Sequence, residues 1–321
     1  MRQISYRSAI REALWDEMNR DPNVILLGED IGPGGVYGVT EGLQEKFGEE
    51  RVIDMPIAET VIVGGAIGAA LNGLRPVAEI MHSDFILVAM DGICNVAAKL
   101  RFASGGKASA PITIRAPSGA SGAGLHHGQS LEACFLNVPG LKLVMPSTPY
   151  DAKGLLKASI RDNDPVIFFE HKYSYEMQGE VPEEEYTIPL GRADVKRLGK
   201  DVTLIALGGM VRQALEAADD LAMEGIDCEV VDPRTILPLD QKTILDSVAK
   251  TRRVVIVHEA PKTGGVGGEI AAVIAEEAFG DLKAPVMRVG APFTPVPRRP
   301  YEEIYLPNKT KITHAVKRIM G

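Results

Sequence analysis

Residues 52 to 73 read "VIDMPIAETVIVGGAIGAALNG", a short strand pattern, a proline turn and an apolar helical pattern in direct succession. Pro56 disfavours helical geometry at the residue before it, so we expect the helix to begin near Ala58. Glu59 would lie in its first turn and is the only ionisable side chain in residues 55–73. Because the helix is apolar all round, we expect it to be buried on every side.

A carboxylate at the start of such a helix has two interpretations. It can complement the positive end of the helix dipole. Alternatively, since apolar surroundings make a charged carboxylate costly, Glu59 can serve as an acid or base, or as the partner of a ring nitrogen. Gly64, Gly65 and Gly68 would let a ligand or another backbone come close to this helix.

On both sides of this stretch, β-branched runs alternate with helical patterns. Ile10, Leu14 and Met18 recur at helical spacing in the first predicted helix. Strands are predicted at 23–30, 51–55, 76–81, 111–116, 141–146 and 165–170, and further helices at 84–102, beginning at an Asp84 cap, and at 148–162. Apolar strands separated by helices indicate a parallel sheet that is covered on both faces.

A second unit follows an acidic stretch at 174–200, whose Glu183, Glu184 and Glu185 are predicted to be solvated in a linker. Predicted strands at 201–207, 227–232, 253–259 and 285–290 alternate with helices near 211–225, 240–250, 268–279 and 309–319. The fold class is therefore α/β, with two doubly wound domains. We assign residues 1–185 to the first and 186–321 to the second.

Composition limits the partners and the location. A net charge of −8 argues against nucleic acid as the main partner, because phosphate binding needs clustered basic residues. Cys94, Cys134 and Cys228 lie apart in apolar segments, so we expect buried thiols in a reducing compartment. The first residues form a mixed-charge amphipathic pattern, and no apolar run has the length of a membrane span. These features predict a cytoplasmic protein, or the mature form of one imported elsewhere.

A second candidate segment is "GASGAGLHHGQSLEACF", residues 119–135. It follows a predicted parallel strand, at the edge of the sheet where open α/β sheets bind ligands. His126 or His127 could carry protons there near neutral pH, although exposed histidines in a glycine turn would look the same. A helix is predicted near 130–137. A metal site is not expected, since no third ligand lies at usable spacing.

Two further segments favour structural roles. Met81 and Phe85 flank a strand-to-helix turn, where core packing is the simpler interpretation and a platform for a flat ring is the alternative. The segment "KTGGVGGE", residues 262–269, resembles a phosphate-binding loop, but a glycine cluster between strand and helix more often serves the turn itself.

Together these segments resemble the beta subunit of the thiamine-diphosphate-dependent 2-oxo acid dehydrogenases, the first component of the pyruvate, branched-chain 2-oxo acid and acetoin dehydrogenase complexes. The resemblance covers essentially the whole chain. It rests on "LLGEDIG", "VTEGLQEKFG", "RVIDMPIAET", "MPSTPYDAKGLLKASIRDNDPVIFFEHK", "DPRTILPLD" and "VHEAPKTGG" in that order. It implies a pyrimidine-binding domain followed by a transketolase C-terminal-like domain.

The resemblance also implies roles for the candidate residues. Glu59 would hydrogen-bond the aminopyrimidine ring and favour its imino tautomer, which takes the proton from the thiazolium carbon before the substrate is cleaved. Phe85 would stack on that ring, with Ile57 and Met81 as apolar neighbours. The family's "HSQS" histidine handles protons as the acyl group passes to lipoamide. This chain reads "HHGQS", which matches His127 but leaves the choice between His126 and His127 open.

Further cofactors and partners follow from the same resemblance. A structural potassium ion would be held at Ile112, Ser159, Ile160, Asp162 and Asp164. The Gly-Asp-Gly motif that holds diphosphate and magnesium in thiamine diphosphate enzymes does not occur in the 321 residues. An alpha subunit would therefore supply it, in an alpha2beta2 heterotetramer. The dihydrolipoyl acyltransferase core, with its lipoyl domain and basic subunit-binding domain, would be a second partner of this acidic chain.

Three alternatives stay open at this point. The substrate could be acetoin, pyruvate or a branched-chain 2-oxo acid. The chain could be a non-catalytic assembly subunit that links an alpha partner to the core, although Glu59 and Phe85 argue against this. It could also be a stand-alone transketolase-like enzyme, which the missing Gly-Asp-Gly motif disfavours.

Overall fold

The computed structural model describes residues 1–321, which divide into two compact units. The first unit comprises Met1–Ser118 and Cys134–Leu190, and the second comprises Gly119–Ala133 and Gly191–Gly321. The division after Leu190 lies five residues beyond residue 185, the boundary that we assigned from the sequence. The second unit also includes the segment Gly119–Ala133, which we assigned to the first domain from the sequence.

The first unit contains eight strands and five α-helices. They are β1 (Arg2–Ser5), α1 (Tyr6–Arg20), β2 (Val24–Glu29), α2 (Leu43–Phe47), β3 (Val52–Met55), α3 (Glu59–Leu71), β4 (Arg75–Glu79), α4 (Ala98–Ala103), β5 (Thr113–Ser118), β6 (Lys142–Val144), α5 (Pro149–Arg161), β7 (Val166–His171) and β8 (Gln178–Val181). The six predicted strands are all present. The antiparallel pair β1–β8 lies outside the predicted set.

Six of these strands form parallel pairs in the order β6–β7–β5–β4–β2–β3. Helices α1 and α5 pack against each other along one face, where Tyr6, Ile10, Leu14, Met18 and Leu155 belong to one buried cluster. The predicted spacing of apolar residues in the first helix is therefore confirmed. Thr148 caps α5 through its side chain, which accepts from the Asp151 N–H.

The helix α3 begins at Glu59, but it is not buried on every side as the sequence predicted. Ile62, Val63, Ala66, Ile67 and Ala70 form a buried stripe. The opposite face is open to solvent, as the next residues show: Val61 and Leu71 are 54% and 51% exposed, and Gly64, Gly65 and Gly68 are exposed too. About half of the surface of Val61 and Leu71 is therefore left uncovered within this chain.

The predicted single helix over 84–102 is three consecutive helical segments. A 3-10 helix spans Ser83–Ala89, a π-helix spans Gly92–Ala97, and α4 follows. The cap position is His82 rather than Asp84, and no side-chain hydrogen bond caps this end. The apolar periodicity indicates a helix correctly, but it does not distinguish these hydrogen-bonding patterns.

The second unit has the predicted alternation of strands and helices. Its elements are β9 (Asp194–Arg197), β10 (Val202–Ala206), α6 (Met210–Met223), β11 (Cys228–Asp232), β12 (Thr235–Leu237), α7 (Gln241–Thr251), β13 (Val254–Pro261), α8 (Gly267–Ala278), β14 (Met287–Ala291), α9 (Glu302–Tyr305) and α10 (Lys309–Met320). Five strands form a sheet in the order β14–β13–β10–β11–β9. The edge strand β9 is antiparallel and was not predicted.

The glycines of residues 262–269 make room for a buried histidine, which supports their interpretation as a structural turn. A Cβ on Gly265 would lie 2.5 Å from the His258 ring, and one on Gly267 would lie 2.6 Å from it. His258 is fully buried, and neither ring nitrogen has a hydrogen-bond partner. Burial lowers the pKa of His258 from 6.5 to about 4.

This histidine should make the protein sensitive to acid. The unfolded chain takes up a proton near pH 6.5, whereas the folded chain does not until about pH 4, so stability falls as the pH drops through this interval. We expect His258 to account for a loss of about 2 kcal/mol between pH 7 and pH 5. Denaturant unfolding of His258→Asn at both pH values should show a correspondingly smaller difference. His314→Asn, at an exposed position, should keep the wild-type difference.

Three expectations from the sequence concern the thiols, membrane spans and the acidic stretch. The expectation of buried thiols is confirmed only for Cys228, whereas Cys94 is half-buried and Cys134 is exposed. No helix in the structure combines the length and the apolar character that crossing a bilayer requires. Glu185 is exposed as predicted, yet it pairs with Lys157 and Arg161 of α5.

Candidate functional site

The strand order of the first unit reverses at β2. The chain passes from β2 to β3 on one side and then to β4 on the other side, so the segments after β3 and β4 flank the end of β2. In open α/β sheets, ligands bind outside the carboxyl ends of the strands at such a reversal. Ile57 and Glu59 follow β3, and Met81 and Phe85 follow β4. The structure therefore brings four predicted site residues to the two sides of one switch point.

Glu59 is the first residue of α3 and is half-buried. The N-cap residue, Ala58, offers no side-chain acceptor, so the free N–H groups at this helix end favour an anion. Ile57, beside it, is 76% exposed and covers no part of the core. A half-buried carboxylate beside an uncovered apolar side chain can receive a ring that has both a polar edge and an apolar face.

Phe85 lies in the 3-10 helix Ser83–Ala89, which packs against α3. The Thr60 hydroxyl donates to the Val88 carbonyl at 3.0 Å and ties the two elements together beside Glu59. Met81 and Phe85 are both half-buried, so each keeps an accessible surface. The elements that carry the carboxylate and the aromatic ring therefore adjoin directly.

Glu29, the last residue of β2, was missed by the sequence analysis. Burial raises the pKa of its carboxyl group, and the charges of Asp30, Glu59 and Asp54 raise it further. It therefore belongs to the same electrostatic environment as Glu59. The sequence feature that could have identified Glu29 is its position at the carboxyl end of a strand in "LLGEDIG". Only the order of the strands in the sheet shows that the strand order reverses at β2.

A buried ionic network supports this edge of the sheet, and it too was missed. Arg115 on β5 donates to Glu170 at 2.6 and 2.9 Å and also to Glu79, the last residue of β4. Tyr175 donates to Glu170 at 2.7 Å. Burial raises the pKa of Glu79, which Arg115 offsets only in part. The network fixes the end of the strand from which Met81 and Phe85 continue.

Tyr37 stacks on Tyr175, a member of this network, with ring centroids 4.8 Å apart. Its hydroxyl lies 3.3 Å from Nδ1 of His82, in the segment between Met81 and Phe85. Burial, together with the charges of Asp84 and Glu79, raises the pKa of Tyr37 to about 12, so this hydroxyl is protonated at neutral pH. Tyr37 thus orders the turn that carries the apolar residues of the site.

His126 and His127 belong to the second unit, in the segment Gly119–Ala133. Their rings lie 4.6 Å apart; His126 is exposed and His127 is half-buried. The predicted helix near 130–137 is only a short 3-10 helix, Glu132–Phe135. Leu125, just before the pair, has a positive φ of 50°, a strained conformation for a branched residue that fixes the direction of the chain here.

The five positions predicted to bind potassium lie around the turn that ends α5, and their oxygens already have donors. Arg75 donates to the carbonyls of Ile160 and Asp162, and the carbonyl of Ile112 accepts from the Val166 N–H at 3.0 Å. The carbonyl of Ser159 accepts from the Asp162 N–H. The carboxylate of Asp162 pairs with Lys142, and the carboxylate of Asp164 pairs with Arg101. Each of these oxygens therefore has a hydrogen-bond or ion-pair partner within the chain, and the potassium site stays a prediction.

Comparison with protein families matches both halves of the chain. Residues 2–178 match the transketolase pyrimidine-binding domain, and residues 191–312 match the transketolase C-terminal domain. A solved structure described as a split-gene transketolase in an inactive beta4 tetramer has a TM-score of 0.81 at 25% identity, over 99% of this chain and 98% of that one. The two-domain α/β fold is therefore confirmed.

Curated relatives in Bacillus subtilis (strain 168) match over nearly their full length. The beta subunit of acetoin:2,6-dichlorophenolindophenol oxidoreductase is 49% identical, covering 100% of this chain and 98% of the relative. The beta subunit of 2-oxoisovalerate dehydrogenase is 49% identical, covering 99% of each. The beta subunit of the pyruvate dehydrogenase E1 component is 48% identical, covering 100% and 99%. The chain therefore belongs to the family of E1-type beta subunits of the 2-oxo acid and acetoin dehydrogenases.

Proposed function

We propose that this chain binds the aminopyrimidine ring of thiamine diphosphate and acts in the decarboxylation or cleavage of a 2-oxo acid or of acetoin. The observation that carries this proposal is the position of Glu59, at an uncapped helix start beside the switch point. The cofactor, when bound, supplies the electron sink for the bond cleavage. Glu59 holds a proton at a ring nitrogen, and Ile57, Met81 and Phe85 orient the ring and exclude water from that contact.

His127, or its neighbour His126, is proposed to move a proton as the acyl group passes to lipoamide. Support comes from the match of "HHGQS" to the family's histidine segment and from the solvent access of the pair, since His126 is exposed and His127 is only half-buried. A neutral imidazole can accept a proton and an imidazolium can return it, both near neutral pH. The dihydrolipoyl acyltransferase core and its lipoyl domain are the proposed recipients.

An alpha subunit is the proposed partner, in an alpha2beta2 heterotetramer. The chain contains no Gly-Asp-Gly motif, so the diphosphate and its magnesium are assigned to that partner. The open face of α3 supports this arrangement, because Val61 and Leu71 are exposed and a Cβ on Gly64 or Gly68 would meet nothing within 4 Å. A helix of a second polypeptide could approach closely there.

The potassium site stays a prediction, and no step of the proposed function depends on it. Cytoplasmic location likewise stays a prediction from the cysteine pattern. The chain is equally similar to relatives with three different substrates. Its identity is 49% to the acetoin enzyme, 49% to the 2-oxoisovalerate enzyme and 48% to the pyruvate enzyme, so all three substrate classes are kept in the proposal.

Co-expression with an alpha subunit that carries the Gly-Asp-Gly motif tests the proposal. We expect a stable complex that reduces an artificial electron acceptor when it is given thiamine diphosphate, magnesium and one of acetoin, pyruvate or a branched-chain 2-oxo acid. Calorimetry of the beta chain alone should detect little cofactor binding, since half of the site is missing. Full activity of the isolated chain would overturn the proposal, and so would a complex that is inactive toward all three substrate classes.

A further inference from the structure

The segment Gly119–Ala133, here called the histidine loop, is attached to the second unit by two buried carboxylates. Glu259, on β13, accepts the Ala120 N–H at 2.6 Å. Glu302, on α9, accepts the Gly122 N–H at 2.8 Å. These two carboxylates are only 8% and 2% exposed. Hydrogen bonds from backbone N–H groups to buried carboxylates are charge-assisted and stronger than neutral ones.

Further contacts fix the loop from the segment between β14 and α9. The Leu125 N–H donates to the Val296 carbonyl at 2.7 Å, and Nε of Arg298 donates to the Ala123 carbonyl at 2.9 Å. A Cβ on Gly124 would lie 2.7 Å from the Arg298 backbone nitrogen. Only glycine therefore fits where these two segments of the chain cross. The backbone immediately before the histidines is therefore held at several points.

The loop also closes on itself around the histidines. The His127 N–H donates to the Gly124 carbonyl at 3.1 Å, and the Ser121 hydroxyl donates to the His127 carbonyl at 3.0 Å. The Gly119 N–H donates to the Gln129 carbonyl at 3.1 Å. Because these hydrogen bonds link residues that are close in sequence, a shift of the Gly122 backbone would also shift His127.

Core packing does not replace these bonds on the side of the loop that faces β13. A cavity of about 100 Å³ lies there, between residues 128–131 of the loop and Glu259, Thr294 and Tyr305. A space of this size holds a few water molecules. On this side of the loop, side-chain packing is incomplete, so the hydrogen bonds contribute to the position of the loop there.

We propose that Glu259 and Glu302 are positioning residues for His126 and His127. They hold the histidine loop in the conformation in which a histidine serves acyl transfer to the lipoyl group. The inference rests on the proposed function and assigns a role to two carboxylates that the proposed function does not itself use. Losing either anchor should impair acyl transfer selectively, because decarboxylation depends on Glu59 in the other unit.

The test uses the complete alpha–beta complex and two assays. Reduction of dichlorophenolindophenol reports the steps before transfer, and acylation of a free lipoyl domain reports the transfer. We expect Glu302→Ala to lower the rate of lipoyl acylation at least about 10-fold while dye reduction changes less than about 2-fold. Glu302→Gln should recover most of the acylation rate, since its amide oxygen can accept the same Gly122 N–H.

A double variant separates positioning from a general structural role. If Glu302 acts through His127, the acylation rate of His127→Ala should fall little further when Glu302→Ala is added, because the two changes remove one function. Multiplicative losses, or a parallel loss of dye reduction in Glu302→Ala, would overturn the inference.

Two outcomes keep this inference distinct from the proposed function. A wild-type complex without dye reduction refutes the proposed function itself. An active wild type whose lipoyl acylation is unaffected by Glu302→Ala refutes only the positioning role. Should Glu302→Ala fail to assemble, Glu259→Ala replaces it, since that change breaks the bond to Ala120 and leaves Glu302 in place. Loss of assembly in both variants would assign the carboxylates to stability and reject the inference.

Discussion

Replacing Glu59 with glutamine should abolish turnover while leaving the chain folded and assembled. Glutamine keeps the size of the side chain, but it cannot share a proton with a ring nitrogen as a carboxyl group does. General acid–base contributions are worth about 10²- to 10⁴-fold in rate, so we expect kcat to fall about 10³-fold. The measurement is steady-state dye reduction by the alpha–beta complex at saturating thiamine diphosphate.

The control for this substitution is Glu45→Gln. Glu45 is also a first-turn acid, in α2 of the same unit, and it is exposed. If the only role of Glu59 were to complement a helix dipole, both substitutions would cost a few tenths of a kcal/mol in stability and nothing in rate. Normal turnover by Glu59→Gln would favour the interpretation of this chain as a non-catalytic assembly subunit.

Glu59→Gln should also have an effect on a neighbouring carboxyl group that can be measured without any cofactor. The charge of Glu59 is one of three that raise the pKa of Glu29. Glutamine at position 59 removes that charge, so the titration of Glu29 should move toward lower pH. Infrared or NMR titration of the carboxyl groups would detect this shift independently of activity.

The sequence predicts the fold well because hydrophobic periodicity sets the elements. The six parallel strands of the first unit and the four of the second lie where apolar runs predict them. Four strands were missed, and three of them, β1, β8 and β9, pair antiparallel and carry polar residues. Their positions depend on tertiary pairing, which local composition does not encode.

The open face of α3 illustrates a second limit of sequence. An all-apolar helix indicates burial, but the burial can be completed by a different polypeptide. Ile62 and Val63 pack within this chain, whereas Val61 and Leu71 do not. One sequence cannot divide such a helix between its own core and a partner's surface.

The candidate site residues that the sequence predicts are those that a local motif identifies, whereas residues that only the topology brings together were missed. Glu59 and Phe85 follow strands within recognisable segments. Glu79, Arg115 and Glu170 lie on three different strands, and each is a single charge in an apolar run. Only the strand order β7–β5–β4 makes them neighbours, so their pairing was inaccessible before the sheet was known.

Breaking the network of Arg115 with Glu79 and Glu170 should lower the free energy of unfolding more than any other change that we consider. Arg115 is 1% exposed and bonds the carboxylates of Glu79 and Glu170, which are also buried. Burial alone would lower the pKa of Arg115, but the two carboxylates outweigh it and raise that pKa, so the guanidinium stays charged. Arg115→Met removes this charge and leaves two buried carboxylates without a cation. Breaking a buried pair in this way costs about 3–5 kcal/mol.

Denaturant unfolding of the purified chain measures this loss, with Arg101→Met as the control. Arg101 also pairs with a carboxylate, Asp164 at 2.5 Å, but its side chain is 47% exposed. Exposed pairs contribute about 0–1 kcal/mol, so this control should unfold almost like the wild type. Similar losses in Arg101→Met and Arg115→Met would contradict the role of burial. Adding Glu79→Gln to Arg115→Met should restore part of the stability, because it removes one of the two stranded charges.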